Sequence, residues 1–384
     1  MDKIENKTAN ANDFGKRYKK NNSNNNEPPP PQPTIKEPEQ SINNKSLLLC
    51  KSMNEWIEEA KNKPIPKMLF DELWWEGELC VLYSDTNLGK SILANQIANS
   101  ITSGIPIKGF RLEAGKQPVL YFDFELSEKQ LENRCSQNYE NHYLFNDTFH
   151  RCAMNPDFIP SDEISIEDYL NNEIEQQIIS KKAKILIIDN ITYLKSESTE
   201  KAKDALPLMK HLKKLKNKYQ LSILILAHTP KRDESQSISL NHLAGSSMFK
   251  NFFDSGFAIG KSQLDKDIRY IKQMKERVKG FIYDAENVIT CQINKEFNFV
   301  CFEFLNYSKE FEHLKQYSEN DRSDLIEQVN QLRQQGKSIR VIADELDINK
   351  SKVERILKNK GTVSTVSTVF SETSETSETK QISL

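Results

Sequence analysis

Six cysteines are spread over 384 residues, Cys50, Cys80, Cys135, Cys152, Cys291 and Cys301, and no two form a C-x-x-C pair. That spacing argues against a structural zinc site or a disulfide framework and suits reduced thiols. No apolar run approaches the roughly 18 residues that a membrane-spanning helix needs, and the polar, charged first residues do not read as a signal peptide. A cytoplasmic protein is expected. Neither sign of charge is in excess, since 53 Lys plus Arg stand against 55 Asp plus Glu. Any surface for nucleic acid must therefore be local. No repeat of roughly 20 to 50 residues is visible.

What is present is unevenly distributed. Residues 1–44 include KKNNSNNNEPPPPQP, and residues 361–384 run through VSTVST and SETSETSET. Both have too little apolar surface to offset chain entropy, so disordered ends are expected. Between them lie LCVLY (79–83), PVLYFDF (118–124), AKILIID (183–189) and LSILILA (221–227), with weaker runs around 255–259, 268–273 and 299–304. Amphipathic segments such as ISIEDYLNNEIEQQIIS and KDALPLMKHLKKLKNKY separate the stronger runs. Runs apolar on both faces, alternating with helices, predict an α/β fold with a buried, mainly parallel sheet over residues 45–317. In the second of these helices Leu208, Leu212, Leu215 and Tyr219 share one face, as an outer-layer helix requires. Residues 318–360 read as all-helical, punctuated by Gly336.

The stretch SDTNLGKS sits between the run LCVLY and a helical segment from Ile92 to Ile101. It follows the phosphate-loop pattern G-x-x-x-x-G-K-[ST] except that Ser84 replaces the first glycine. A small side chain is tolerated there if the backbone keeps a negative φ. Ser84, Asp85, Thr86, Asn87, Leu88, Gly89, Lys90 and Ser91 are then the cradle. Backbone N–H groups and the helix N-terminus face the phosphates, Lys90 reaches the outer oxygens, and the Ser91 hydroxyl holds Mg2+. A second carboxylate should end a neighbouring strand to support that metal, and Asp189 after ILII fits. In YFDFELSEKQLENR, Glu125 and Asp123 both qualify as a base for an attacking water, and spacing does not separate them.

Taken in order, GKS, VLYFDFELS, ILIIDN, LILAHT and the K-x-R of QMKER resemble the RecA-like ATPases of the replicative hexameric helicase group, particularly its plasmid RepA and DnaB-like branch. The resemblance spans about Pro64 to Leu305. It implies a RecA-like P-loop NTPase core, ATP and Mg2+ as cofactors, and a homo-hexamer acting on DNA in the replication or mobilisation of a plasmid, phage or mobile element. By position it implies Glu125 as catalytic base, Asp189 on magnesium and His228 as the polar sensor. Lys275 and Arg277 are implied to serve the neighbouring subunit's site, with Arg277 the better finger because of its guanidinium geometry. The loops after Asp189 and His228 would face single-stranded DNA in the channel through Lys195, Lys201, Lys231 and Arg232. In such proteins the segment around Trp56 and Ile57 can pack on an adjacent subunit, although it can equally close its own domain.

The C-terminal SIRVIADELDINKSKVERILKNK offers Ile339, Ile342, Ala343, Leu346, Ile348, Val353, Ile356 and Leu357 to a small core, with Ala343 where two helices cross. Its second helix presents Lys350, Ser351, Lys352 and Arg355. The segment resembles the helix-turn-helix of resolvases and regulators, which implies duplex DNA or a loader protein as partner. It keeps a second reading open: an ATP-switched DNA-binding regulator, or a recombination or assembly ATPase, that does not unwind DNA.

Overall fold

The structure, a computed structural model, describes residues 48–159, 161, 165–190, 205–230, 232–243, 249–277, 280–316, 319–346 and 348–359. The expected disordered ends lie outside these residues, and the chain divides into two units after Lys63. In the first, α1 (Met53–Lys61) is started by a capping box. Ser52 Oγ accepts from the Glu55 N–H at 3.2 Å and the Glu55 carboxylate accepts from the Ser52 N–H at 2.7 Å.

The second unit begins with β1 (Met68–Phe70) and β2 (Trp74–Trp75), a small antiparallel pair. There follow β3 (Leu79–Ser84), α2 (Lys90–Ser103), β4 (Val119–Asp123), α3 (Glu128–Arg134), β5 (Ser136–Gln137), β6 (Asn141–His142) and β7 (Phe149–Cys152). Then come α4 (Ile166–Lys181), β8 (Ile185–Asp189), α5 (Ala205–Tyr219), β9 (Ser222–His228), β10 (Ser255–Lys261), β11 (Ile268–Lys275), β12 (Val288–Glu296) and β13 (Phe299–Ser308). The chain continues through α6 (Glu310–His313), α7 (Glu319–Gln334), α8 (Ile339–Glu345) and α9 (Lys350–Asn359).

Nine strands form one sheet in the order β13-β12-β11-β10-β3-β9-β8-β4-β7. Neighbours are parallel from β10 to β7 and antiparallel from β10 to β13. The four strong apolar runs became β3, β4, β8 and β9, because a strand covered on both faces needs apolar residues at every position. Leu79, Val81, Tyr83, Leu186 and Ile223 point to the face under α4 and α5, whereas Cys80, Leu82, Ile185 and Leu224 point to the face under α2. Helix α5 sets Leu208, Leu212 and Leu215 into this core at 1% exposure or less, and each contributes about 1.5–3 kcal/mol by burial. Its lysine-rich remainder stays outside.

The sequence runs did not show β12, and they stopped β13 short. These strands form a long hairpin that leaves the sheet's core and packs on α2. Gln96 of α2 pairs with the Phe302 backbone, donating to its C=O at 3.0 Å and accepting from its N–H at 2.9 Å.

Glu310 is fully buried and fastens distant segments together. It is ion-paired with Lys272 and accepts from the Ile238 N–H at 2.8 Å and the Tyr270 hydroxyl at 3.2 Å. Lys272 also donates to the Ile238 carbonyl at 3.0 Å. Glu310→Ala strands a buried ammonium, so it is expected to cost about 3–5 kcal/mol in denaturant unfolding. A loss below about 1 kcal/mol, typical of an exposed pair, would contradict the assigned role.

After α6 the chain is helical. Val329, Ile342, Ala343 and Val353 are the buried centre of α7, α8 and α9, with Leu325, Leu332, Ile339, Leu346, Ile348, Ile356 and Leu357 packed around them. Gly336, at φ 79°, turns the chain after α7, and Ser338 caps α8 by accepting from the Val341 N–H. No helix among the described residues is long and apolar enough to cross a membrane.

Candidate nucleotide site

Because β3, β4, β8 and β9 run parallel, their C-terminal ends deliver one residue set to a single edge of the sheet. Ser84 is the last residue of β3 and lies in register with His228 on β9 and Ile259 on β10. It is 1% exposed, and its Oγ donates to the Asp85 carbonyl at 2.8 Å. The left-handed residues of the loop are Asn87, φ 63°, and Gly89, φ 94°. Ser84 is still extended strand, so the position does not require glycine; the turn is made further along the loop, where asparagine and glycine tolerate positive φ.

Gly89 carries a second constraint. A Cβ built on it would stand 2.9 Å from Ile293 Cδ1 and from Phe302 Cε2, where the β12–β13 hairpin presses on the loop. Gly89→Ala combines strained backbone with overpacking, so a loss of roughly 1–3 kcal/mol is expected in thermal or denaturant unfolding, with weaker nucleotide binding. Unchanged stability and affinity would contradict this account.

Leu88 is buried in the core beneath the loop, and the Asp85 carboxylate accepts from Thr229 Oγ1 and, at 3.0 Å, from Arg232 Nε. These two residues can therefore offer a ligand only their backbone. Helix α2 starts at Lys90 without a capping side chain, which leaves its first N–H groups directed at the loop's concavity. Lys90 is 6% exposed, with Nζ 3.3 Å from the Ser84 carbonyl and Oγ, 3.4 Å from the Asp85 carbonyl and 3.1 Å from His228 Nδ1. Burial holds its pKa below the usual lysine value, against the opposing pull of Asp189, Glu125 and Asp85.

Asp189 ends β8 at 1% exposure and accepts from the Tyr121 hydroxyl at 2.7 Å and from Ser91. Burial pushes its pKa up to about 6 despite those hydrogen bonds, and the charges of Glu125 and Asp123 push the same way. A carboxylate so placed fits a bound cation, which would relieve the crowding of acids. The chemistry also fits magnesium: the ion takes few protein ligands and completes its shell with phosphate oxygens and water. No cluster of three or more His, Cys, Asp or Glu among the described residues could hold a metal by itself.

The structure separates the two carboxylates that spacing left equivalent. Strand β4 ends at Asp123, so the strand's alternation does not carry on to Glu125, and the two side chains need not share a face. Asp123 is 2% exposed; it accepts the N–H groups of Glu125 and Leu126 at 3.1 and 3.0 Å, and Arg151 Nε at 2.9 Å. Glu125 instead lines a cavity of about 100 Å³ with Asn87, Gly89, Lys90, Ser91 and His228. Its Oε1 accepts from Asn190 Nδ2 and lies 3.6 Å from His228 Nε2. In the tautomer whose Nδ1 accepts from the Lys90 ammonium, His228 carries its proton on Nε2, toward Glu125. Burial and the Lys90 charge keep the imidazole below its usual pKa, opposed by Glu125.

Arg134, at the end of α3, lines the same cavity, and its buried Nη1 has no hydrogen-bond partner. Sequence reasoning passed over it: nothing in a seven-residue helix marks which end turns back to the loop.

Other candidates lie elsewhere. Lys275 pairs with Gly256 at the start of β10, hence at the sheet edge opposite the phosphate loop. It donates to the Lys250 carbonyl and lies 4.4 Å over the Phe253 ring. Arg277 bonds the Asn251 and Phe253 carbonyls at 3.0 and 3.3 Å, and nearly half of its side chain is exposed. Neither joins the site of its own chain. Arg232, expected on nucleic acid, is turned inward with 4% of its side chain exposed, because Asp85 holds it. Lys195, Lys201 and Lys231 lie outside the described residues. Lys350, Ser351 and Arg355 are exposed on α9, but Lys352 is buried against Asp233.

Strand order explains why these groups meet. β9 lies between β3, which carries the loop, and β8, which carries Asp189, so His228 arrives between the lysine and the acids. This is the RecA-like arrangement of a P-loop NTPase core. Residues 49–234, somewhat under half of the chain, match the family model described as an AAA domain, which agrees with an ATPase of the P-loop class. None of the curated proteins matches the chain.

Proposed function

We propose that this protein is a magnesium-dependent, ring-forming ATPase that moves along DNA as a cytoplasmic helicase of the RepA and DnaB-like kind, serving a plasmid, phage or mobile element. The observation that carries the reading is the division of charge between the two sheet edges. Glu125, Asp189 and Lys90 gather at one, while Lys275 and Arg277 stand at the other, away from the site of their own chain and placed to serve a neighbouring copy's. A homo-hexamer closes such head-to-tail contacts.

Within one site, the N–H groups of the loop and of α2 wrap the ATP phosphates, and Lys90 leaves Ser84 for their outer oxygens. Ser91 and Asp189 would hold Mg2+, which neutralises phosphate charge when bound. Glu125 accepts a proton from the water that attacks the γ-phosphorus as the bond to the β-phosphate oxygen breaks. His228, between Lys90 and Glu125, passes the presence of the γ-phosphate to the segment after β9. Arg134 reaches the same cavity from α3 and adds positive charge near the phosphates.

The helix-turn-helix reading of α8 and α9 favours the alternative of an ATP-switched DNA-binding regulator, because Lys352 is held beside the nucleotide loop's own partner, Arg232. ATP hydrolysis with and without single-stranded DNA, the mass in solution and strand separation decide between them. Stimulated turnover in a ring with unwinding supports the helicase; turnover without unwinding supports the regulator.

A further inference from the structure

The segment after β9 is tied on three sides. Toward the phosphate loop, Thr229 N donates to the Ser84 carbonyl at 3.1 Å, and Arg232 Nε donates to Asp85 at 3.0 Å. Toward α6, the Ile238 N–H donates to Glu310 at 2.8 Å, and the Lys315 N–H donates to the Glu234 carbonyl at 3.1 Å. Toward the helical module, Asp233 Oδ2 lies 3.1 Å from Lys352 Nζ, with 3% and 9% of the two side chains exposed.

That burial is the informative part. Lys352 stands in the first turn of α9, beside Val353, and among the described residues the fully buried centre of the module is small: Val329, Ile342, Ala343 and Val353. Long cationic side chains next to so small a core normally keep their ends in water. Burial pushes the Asp233 carboxyl up, but hydrogen bonds from Ser235 and the charge of Lys352 outweigh it and leave the group below its usual pKa, so the pair is ionic. Within KSKVERILKN, Lys350, Lys352, Arg355 and Lys358 face a single acid, Glu354. A helix of that charge, second in a helix pair, suits a phosphate backbone.

We propose that Asp233 is an intramolecular stand-in for duplex DNA: it holds the lysine that a backbone phosphate would otherwise take, and so keeps α9 from the duplex. The proposal rests on reading α8 and α9 as a DNA-binding helix pair. Duplex DNA must displace the ATPase core from α9 before it binds. Arg232 and Asp233, adjacent in the chain, face the phosphate loop and α9 respectively, so a shift of this segment changes both contacts together.

The test uses the full chain as wild type, Asp233→Asn, Lys352→Gln and the double variant. Hydrogen exchange is followed over residues 350–358 and 232–238, with anisotropy of a fluorescein-labelled mixed-sequence duplex at low salt. Asp233→Asn keeps the acceptor for Ser235 and removes the charge. It is expected to speed exchange in α9 and to tighten duplex binding at least about fivefold, as the competent fraction of the module rises. Lys352→Gln is expected to speed exchange in 232–238 and, in the double variant, to cancel the gain in affinity. Exchange and affinity equal to wild type in Asp233→Asn would overturn the latch. Faster exchange with no duplex bound by any variant would overturn the assignment to DNA. If Asp233→Asn does not fold, unchanged exchange of 232–238 in Lys352→Gln overturns the proposal on its own. Exchange needs no turnover, so a chain that fails to hydrolyse ATP would sink the helicase reading without touching the latch.

Discussion

Lys90→Ala is expected to eliminate measurable ATP hydrolysis and to weaken nucleotide binding by about 100-fold or more. A charge-assisted hydrogen bond to phosphate contributes about 1.5–3 kcal/mol, and one lysine in the loop makes more than one of them. Lys90 as a whole is 6% exposed, so its charge acts on phosphate oxygens with little screening by bulk water. The fold should survive the change. Burial lowers this lysine's pKa, which means the protein already spends free energy to keep the charge there. Of the groups it releases, His228 lines a cavity that water can enter, and the Ser84 hydroxyl keeps its bond to the Asp85 carbonyl. Titration with a fluorescent ATP analogue, steady-state hydrolysis and a thermal melt check all three claims. Affinity within about threefold of wild type would mean that the loop does not bind phosphate through Lys90.

How far the sequence reached depended on which physical signal each part left in it. β3, β4, β8 and β9 were legible because a strand buried on both faces must be apolar throughout. β12 was not, because its outer half, including Lys295 and Glu296, is exposed and pairs only with β13. The phosphate loop was legible from Gly89, Lys90 and Ser91, whereas the reason Ser84 is acceptable lies in backbone angles that no spacing encodes. The choice between Asp123 and Glu125 turned on where one strand stops. Arg232 and Lys352 were read as surface cations, since the acids that bury them, Asp85 and Asp233, are distant in the chain. Arg134 lay inside a stretch already recognised, but its direction depends on a helix too short to show a periodic face.

Glu125→Gln tests that last choice among the acids, and its expected effect is a fall in turnover of about 10²–10⁴-fold with ATP binding retained. The amide keeps the shape and an acceptor for Asn190 but cannot take a proton from water. Binding should hold or tighten. The charge of Glu125 is one of those that raise the pKa of Asp189, so its removal eases ionisation of the group proposed to support magnesium and would reduce repulsion of a bound polyphosphate. Asp123→Asn should behave in the opposite way. Its carboxylate is committed to Arg151 and to the turn at Glu125 and Leu126, so the loss should appear mainly in unfolding free energy, with turnover near normal at a temperature where the variant is folded. Dissociation constants, single-turnover rates and denaturant midpoints for the two variants separate the roles. Turnover lost in Asp123→Asn and kept in Glu125→Gln would move the base to Asp123, and the orientation of Glu125 beside His228 would then need another explanation.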